Sequence, residues 1–187
     1  MACVLVTAPL AAGCSRTNDG SAMPSSDLSV RSEHPPQLSP RVDNPRDIRD
    51  YGDRPCEVFS VEQLTEFGFD LPPNRTQMLP SGHQVCVWVD SDNLGELAVT
   101  TYPNWDILER IYANLRSDPV FEPMMIAGLP AVVHQPGPVP TCYVTVGLAR
   151  RQGLDVEFSD TQEPYEDPCG AARMAAEVAV GNLPPLK

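Results

Sequence analysis

Positive charge is scarce in this 187-residue chain: 13 Lys and Arg stand against 25 Asp and Glu, for a formal net charge of −12. The acidic residues are scattered with no basic patch to offset them, which argues against nucleic acid as a partner and against close docking of the folded part on anionic lipid head groups. Long apolar runs are missing as well. The apolar start, Ala2 to Gly13, falls far short of the roughly 20 residues that a membrane-spanning helix needs. Histidine is rare: His34, His83 and His134 are the only three, so a metal triad or a Ser/His/Asp site has few combinations to draw on. His83 lies near Ser81, but adjacency in sequence carries no triad geometry, and both His83 and His134 read as surface or strand-end residues. Gly-rich phosphate loops, HExxH, GxSxG and SxxK patterns are absent. Paired carboxylates leave no sequence signature, so an acid-based hydrolase stays open. No metal and no cofactor is expected.

What is present begins at the N-terminus. Leu10-Ala11-Ala12-Gly13-Cys14, after an apolar start and before a polar Ser/Asn/Pro stretch, has the form of a bacterial lipobox with Cys14 as the lipidated residue. Small residues ahead of the cysteine fit a signal-peptidase groove, and the thiol receives the diacylglyceryl group. Position 11 is Ala where Leu or Val is usual, and no Lys or Arg precedes the apolar run. An upstream start carrying basic residues would complete the signal. Two or three acyl chains, at about 0.8 kcal/mol per buried methylene, hold a protein firmly on a membrane where one does not. The expected address is the extracytoplasmic face of the cell membrane.

Of the six cysteines, Cys3 and Cys14 belong to the leader, leaving Cys56, Cys86, Cys142 and Cys169. An even number in an exported chain reads as disulfides. The separations are 30, 56 and 27 residues with no CxxC pair, which disfavours a zinc or thioredoxin-like site. Three connectivities are possible. Cys56 with Cys86 and Cys142 with Cys169 is favoured, because each bond would staple a helical region to a neighbouring strand.

Residues 1–13 read as a signal peptide and 14–50 as the lipidated cysteine with a disordered Ser/Pro-rich tether too poor in large apolar residues to form a core. Residues 51–187 read as a single globular domain. Ser60 and Gln63 form a capping box ahead of Val61, Leu64 and Phe67 at helical spacing, ended by Gly68. His83 to Val89 has the alternation of a strand covered on both faces, and 91–95 reads as a turn into a strand over 96–102. Asn104 caps a helix carrying Trp105, Leu108, Ile111, Tyr112 and Leu115 on one side. Strands follow at 120–126, 131–134 and 142–148, with Gly128-Leu129-Pro130 as a break. Arg150 to Gly153 turns into a strand over 154–158, with Asp155 and Glu157 outward toward water. Asp167 and Pro168 start a last helix from Cys169 to Val180. The order α-β-β-α-β-β-β-β-α predicts an α+β fold, an antiparallel sheet flanked by helices.

Candidate ligand sites reduce to simpler readings. Asp90 to Gly95 begins like a calcium loop, but Leu94 and Thr101 occupy ligand positions, so it is a turn. The acidic run Asp155, Glu157, Asp160, Glu163, Glu166 and Asp167 reads as a solvated strand face and loop. Trp88, Tyr102, Trp105, Tyr112 and Tyr143 sit in elements that need filling, which favours core packing over an apolar ligand pocket. The sequon Asn74-Arg75-Thr76 is a chance match in a bacterial chain.

The Cys14 lipobox, Pro55-Cys56, the Cys86-Val87-Trp88 strand, Cys142 and the Asp167-Pro168-Cys169 helix start together resemble an actinobacterial lipoprotein family of unknown function, which includes the mycobacterial lipoproteins LprB and LprC. The resemblance spans residues 51–187 and the leader. It implies an α/β/α sandwich of the Mog1/PsbP-like kind and no enzyme activity. The function expected is a non-catalytic, monomeric binding or interaction module on the membrane, recruiting an envelope protein or a small ligand. The alternatives are an envelope hydrolase using acidic residues and a purely structural envelope lipoprotein.

Overall fold

Alternating residues pair into hairpins that close on one another. The structure, a computed structural model, describes residues 38–69, 72, 75–91, 94–138, 140–160 and 167–187. Its strands are β1 (Arg75–Met78), β2 (Gln84–Val89), β3 (Gly95–Tyr102), β4 (Val120–Ile126), β5 (Leu129–Gln135), β6 (Thr141–Ala149) and β7 (Gln152–Asp160). They form one seven-stranded antiparallel sheet of order β1-β2-β3-β7-β6-β5-β4. With α1 (Val61–Glu66), α2 (Ile107–Asn114) and α3 (Pro168–Asn182) the fold is α+β. The chain leaves β3 through α2, enters the far edge at β4, and meanders back until β7 lies beside β3.

The element order is the expected one with β1 added. This strand is four residues long at the sheet's edge, and Thr76, Gln77 and Met78 are exposed. With no buried side it carries no apolar alternation to read. The expected break at Gly128 is instead a tight hairpin. Ala127 and Gly128 both take left-handed backbone (φ 48° and 80°), the twist that a two-residue hairpin turn requires, and Leu129 and Pro130 already belong to β5.

Strand periodicity sends alternate residues to two covered faces. On one face Leu97, Val99, Val144, Val146, Leu154 and Val156 share one core cluster with the buried side of α3, and Trp88 meets Phe59 of the loop before α1. Four of the five buried residues of α3 are alanines, whose small side chains let the helix axis lie close to the sheet. On the other face Ile107, Leu108, Ile111 and Tyr112 of α2 pack with Tyr102 and Val132. Helices therefore cover both sides, in three layers.

The helix ends follow local chemistry. Ser60 and Gln63 form the expected capping box on α1, and Asp167 caps α3 with Pro168 behind it. For α2 the cap is Asp106, which accepts from the Glu109 N–H at 3.1 Å, rather than Asn104. Trp105 thus precedes the helix.

Ordered structure reaches well before residue 51. Leu38 and Ser39 donate backbone N–H groups to the Glu109 carboxylate. Arg46 donates its N–H to the Leu148 carbonyl at 2.8 Å and bridges to Pro185, and Leu186 donates to the Pro45 carbonyl at 3.0 Å. Ile48 is wholly buried and donates to Gln152 Oε1 at 2.9 Å. Composition assigns this segment to the tether because it holds few apolar residues. Backbone hydrogen bonds to β6 and the C-terminal residues, with one isoleucine as plug, fasten it instead.

Candidate functional site

Cys56, Cys86, Cys142 and Cys169 are bonded as Cys56–Cys86 and Cys142–Cys169, with Cα separations of 5.1 and 5.0 Å. Cys56 lies on the 3-10 turn Pro55–Val58 and Cys86 on β2; Cys142 lies on β6 and Cys169 in the first turn of α3. Each bond fastens a helical segment to a strand on the α3 face.

The chemistry-bearing side chains gather on the opposite face. In the β6–β7 pair Thr145 stands opposite Asp155, and in the β5–β6 pair His134 stands opposite Tyr143. All four project toward the side that carries α2. The Thr145 hydroxyl, wholly buried, donates to Asp155 Oδ1 at 2.6 Å, and His134 Nε2 lies 3.4 Å from the same hydroxyl oxygen. On the far side of the ring, His134 Nδ1 faces Asp118 Oδ2 at 3.7 Å, and neither atom has a hydrogen-bond partner among the described residues. Tyr143 stacks on the imidazole at 5.1 Å between centroids. A ring that donates at Nε2 to Thr145 meets the Asp118 carboxylate favourably only while Nδ1 also carries a proton. Burial pushes the Asp155 carboxyl above its ordinary range, opposed by the charge of His134 and the Thr145 hydrogen bond. Burial likewise raises the Tyr143 phenol, reinforced by Glu157, and the Tyr102 phenol, reinforced by Asp155.

This chain of groups corrects two expectations. His134 lies at the end of β5, one residue before its last, as one of the two readings had it, but it is buried, 5% exposed, rather than at the surface. Asp155 points away from the α3 core as expected, but it is half-buried and bonded to the Thr145 hydroxyl rather than fully solvated. Asp118, His134 and Thr145 stand in the order acid, base, hydroxyl that nucleophilic catalysis uses. The hydroxyl proton is committed to Asp155, however, and the described cavities do not include Thr145. The arrangement is a polar network with buried Thr145 and His134 at its centre and half-buried Asp155 and Asp118 at its ends.

A second cluster closes the neighbouring end of the same face. His83 stacks on Trp105 at 4.8 Å, Tyr102 sets its edge against both rings, and the Arg110 guanidinium covers Trp105 at 4.8 Å. Burial lowers the His83 pKa. Trp88 lies across the sheet from these rings, against Phe59, while Tyr112 packs on Phe121. Among the described residues the five candidate aromatics line no common pocket: Trp88, Tyr102 and Tyr112 fill the core as expected, Trp105 packs partly buried against it, and half-buried Tyr143 stacks on His134 outside the core clusters.

Other candidates separate in space. Asp90 ties its turn by accepting from the Leu94 and Gly95 N–H groups, each at 2.9 Å. Of the acidic run, Asp155 and Glu157 stand on the α2 face, Asp160 ends β7 and Asp167 caps α3. Glu163 and Glu166, like Cys14, His34 and Asn74, lie outside the described residues. Among the described residues no group of three or more His, Cys, Asp or Glu is placed to hold a metal ion.

Residues that carry no motif shape the α2 face most. A Cβ on Gly147 would lie 2.8 Å from Leu108 Cδ2, and one on Gly153 would overlap Ile107 Cγ2. The two glycines are the landing pad that brings α2 onto β6 and β7.

No curated protein and no solved structure matches the chain. Over residues 9–182, most of its length, the sequence matches the model of a family described as protein of unknown function (DUF3558), and the chain belongs to that family.

Proposed function

We propose that this protein is a lipid-anchored, non-catalytic binding module of the cell envelope, displayed on the extracytoplasmic face of the membrane. The observation that carries the reading is the pairing of all four cysteines after the leader into two disulfides, the state that an oxidising compartment maintains and a reducing one does not. It agrees with the lipobox at Cys14 and with the likeness to actinobacterial lipoproteins such as LprB and LprC. No helix among the described residues is long and apolar enough to cross a membrane, and on this reading acyl chains do the holding. A module of this kind acts by recruiting an envelope protein or a small ligand.

A hydrolase needs an accessible nucleophile or a pair of carboxylates flanking a cleft. The nearest arrangement, Thr145 with His134 and Asp118, has its hydroxyl buried and the hydroxyl proton already donated to Asp155, which favours the binding reading. Metabolic labelling with an alkyne fatty acid tests the anchor: the wild-type chain takes up label and Cys14→Ser does not. An unlabelled wild-type protein that remains bound to membranes would overturn the reading. Crosslinking in intact cells, followed by mass spectrometry, separates a recruiting module from a purely structural component, which has no specific partner.

A further inference from the structure

We infer that the cavity between residues 39–42, the start of α2 and the β6–β7 turn is a binding site for a small anion, a carboxylate or phosphate group on a short apolar stem. The cavity holds about 220 Å³. Its floor is Leu108, brought down onto Gly147, with Ala149 beside it, and its rim carries Arg41 and Arg150.

The two arginines are the informative feature. Every other arginine whose side chain is described either donates to an oxygen or, for Arg110, covers the Trp105 ring. Arg41 and Arg150 have no hydrogen-bond, ion-pair or ring partner among the described residues, and both line this cavity. In a chain with 25 acidic residues and a net charge of −12, carboxylates for surface pairing are plentiful. Two guanidinium groups left without one line the same cavity and offer their charge to an anion there. A guanidinium presents its N–H groups in a planar fork that matches carboxylate and phosphate oxygens.

The remaining walls limit what fits. Asp106 also lines the cavity, with its carboxylate already accepting from the Glu109 N–H. Its charge disfavours a second anionic group on the ligand and offers an acceptor to a ligand hydroxyl or ammonium. The volume lies below the roughly 300–1,000 Å³ of sites for drug-sized molecules, and the apolar floor accepts a few methylenes. A free short-chain acid and the glycerophosphate head of a lipid both satisfy these terms.

This deepens the binding-module reading by naming a ligand class, and its test does not depend on the anchor, so either can fail alone. The test is calorimetric titration of the full-length chain, at constant ionic strength, with sodium butyrate, inorganic phosphate and glycerol 3-phosphate. Saturable binding is expected with at least one of them, weakened about tenfold or more in Arg41→Gln and in Arg150→Gln. Both arginines are exposed, so these variants keep the core intact. Lys187→Gln removes the same charge outside the cavity and should leave the affinity unchanged. Preference for glycerol 3-phosphate over butyrate assigns a lipid head group, and the reverse assigns a free acid. Absence of heat with all three probes, or equal affinity in the arginine variants, overturns the proposal.

Discussion

Thr145 donates its hydroxyl proton to Asp155 at 2.6 Å from directly across the β6–β7 pair. The same oxygen lies 3.4 Å from His134 Nε2. One hydroxyl thus stands between a carboxyl and an imidazole beneath α2, and the network is sensitive to any change that removes it. Thr145→Val keeps the shape and strips the polar atom, leaving Asp155 and His134 without their shared partner. The expected cost is about 1–3 kcal/mol, the usual penalty for an unsatisfied buried group, read as a lowered midpoint in urea unfolding. A cost near zero would mean that solvent at half-buried Asp155 replaces the lost hydrogen bond.

Asp155 also sets a pH dependence. Burial raises its folded pKa above the ordinary value of 3.8, so folding favours the protonated form. That stabilisation is fully present below the ordinary value and is lost as pH rises through the raised one. Asp155→Asn cannot ionise and keeps the acceptor that Thr145 uses. The difference in Tm between Asp155→Asn and wild type should therefore grow in favour of the variant from about pH 4 to 7. A difference that is constant with pH, measured by differential scanning calorimetry, would refute the assignment.

The glycine pad beneath α2 separates two substitutions of equal chemistry. Gly153→Ala drives a methyl into Ile107 Cγ2 and toward the Val146 carbonyl oxygen at 3.1 Å, and neither a branched side chain at the helix start nor backbone can yield easily. Gly147→Ala meets Leu108 Cδ2, the end of a flexible side chain, at 2.8 Å. Overpacking costs about 1–3 kcal/mol, and Gly153→Ala should fall at the upper end with Gly147→Ala below it. Equal Tm losses, or the reverse order, would show that α2 does not rest on Gly153.

The disulfides close loops with sequence separations of 30 and 27 residues. By chain entropy each contributes about 3–4 kcal/mol, a large share of the roughly 5–15 kcal/mol that holds a typical domain folded. Paired Cys→Ser variants, Cys56/Cys86 and Cys142/Cys169, should each lower the urea midpoint by a comparable amount. A variant indistinguishable from wild type would show that its bond constrains nothing.

The even cysteine count announced disulfides but left three connectivities, of which the favoured one is found. The caps at Ser60 and Asp167 and six of the seven strands were legible in the sequence, because each rests on a local pattern of spacing or alternation. The Thr145–Asp155 contact was nearly so. Thr145 interrupts an apolar strand, Asp155 alternates with Leu154 and Val156, and the turn at Arg150 and Arg151 sets them opposite one another. Read as a solvated face, the alternation placed Asp155 on the correct side of the sheet but left out the helix that covers it. The Asp118–His134 approach was hidden for another reason: it joins a loop to an internal strand through tertiary packing that no local period records. Residues 38–50 were hidden because backbone groups hold them, and backbone groups look alike in every sequence.

Glu109 carries most of the attachment of that segment's beginning. Its carboxylate accepts the Leu38 N–H at 2.8 and 3.1 Å and the Ser39 N–H at 2.8 Å, and Arg116 donates to the Leu38 carbonyl at 3.3 Å. Burial pushes the Glu109 pKa up, but these two backbone donors, with the Arg116 charge, outweigh it and hold the group below its ordinary 4.5. A lowered pKa means that the attachment is present above the ordinary value and is lost as pH falls through the folded one. Glu109→Ala removes it at all pH values. Losing about 1–2 kcal/mol raises the open population roughly 5- to 30-fold. Arg41 is exposed, and trypsin cuts a transiently opened chain in proportion to that population when closing is fast. Cleavage after Arg41 should quicken by that factor in Glu109→Ala, while cleavage after Arg46, whose N–H and guanidinium are held by the Leu148 and Leu183 carbonyls, should not change. Equal acceleration at both sites would mean that residues 38–48 open as one piece and that Glu109 is not their separate latch.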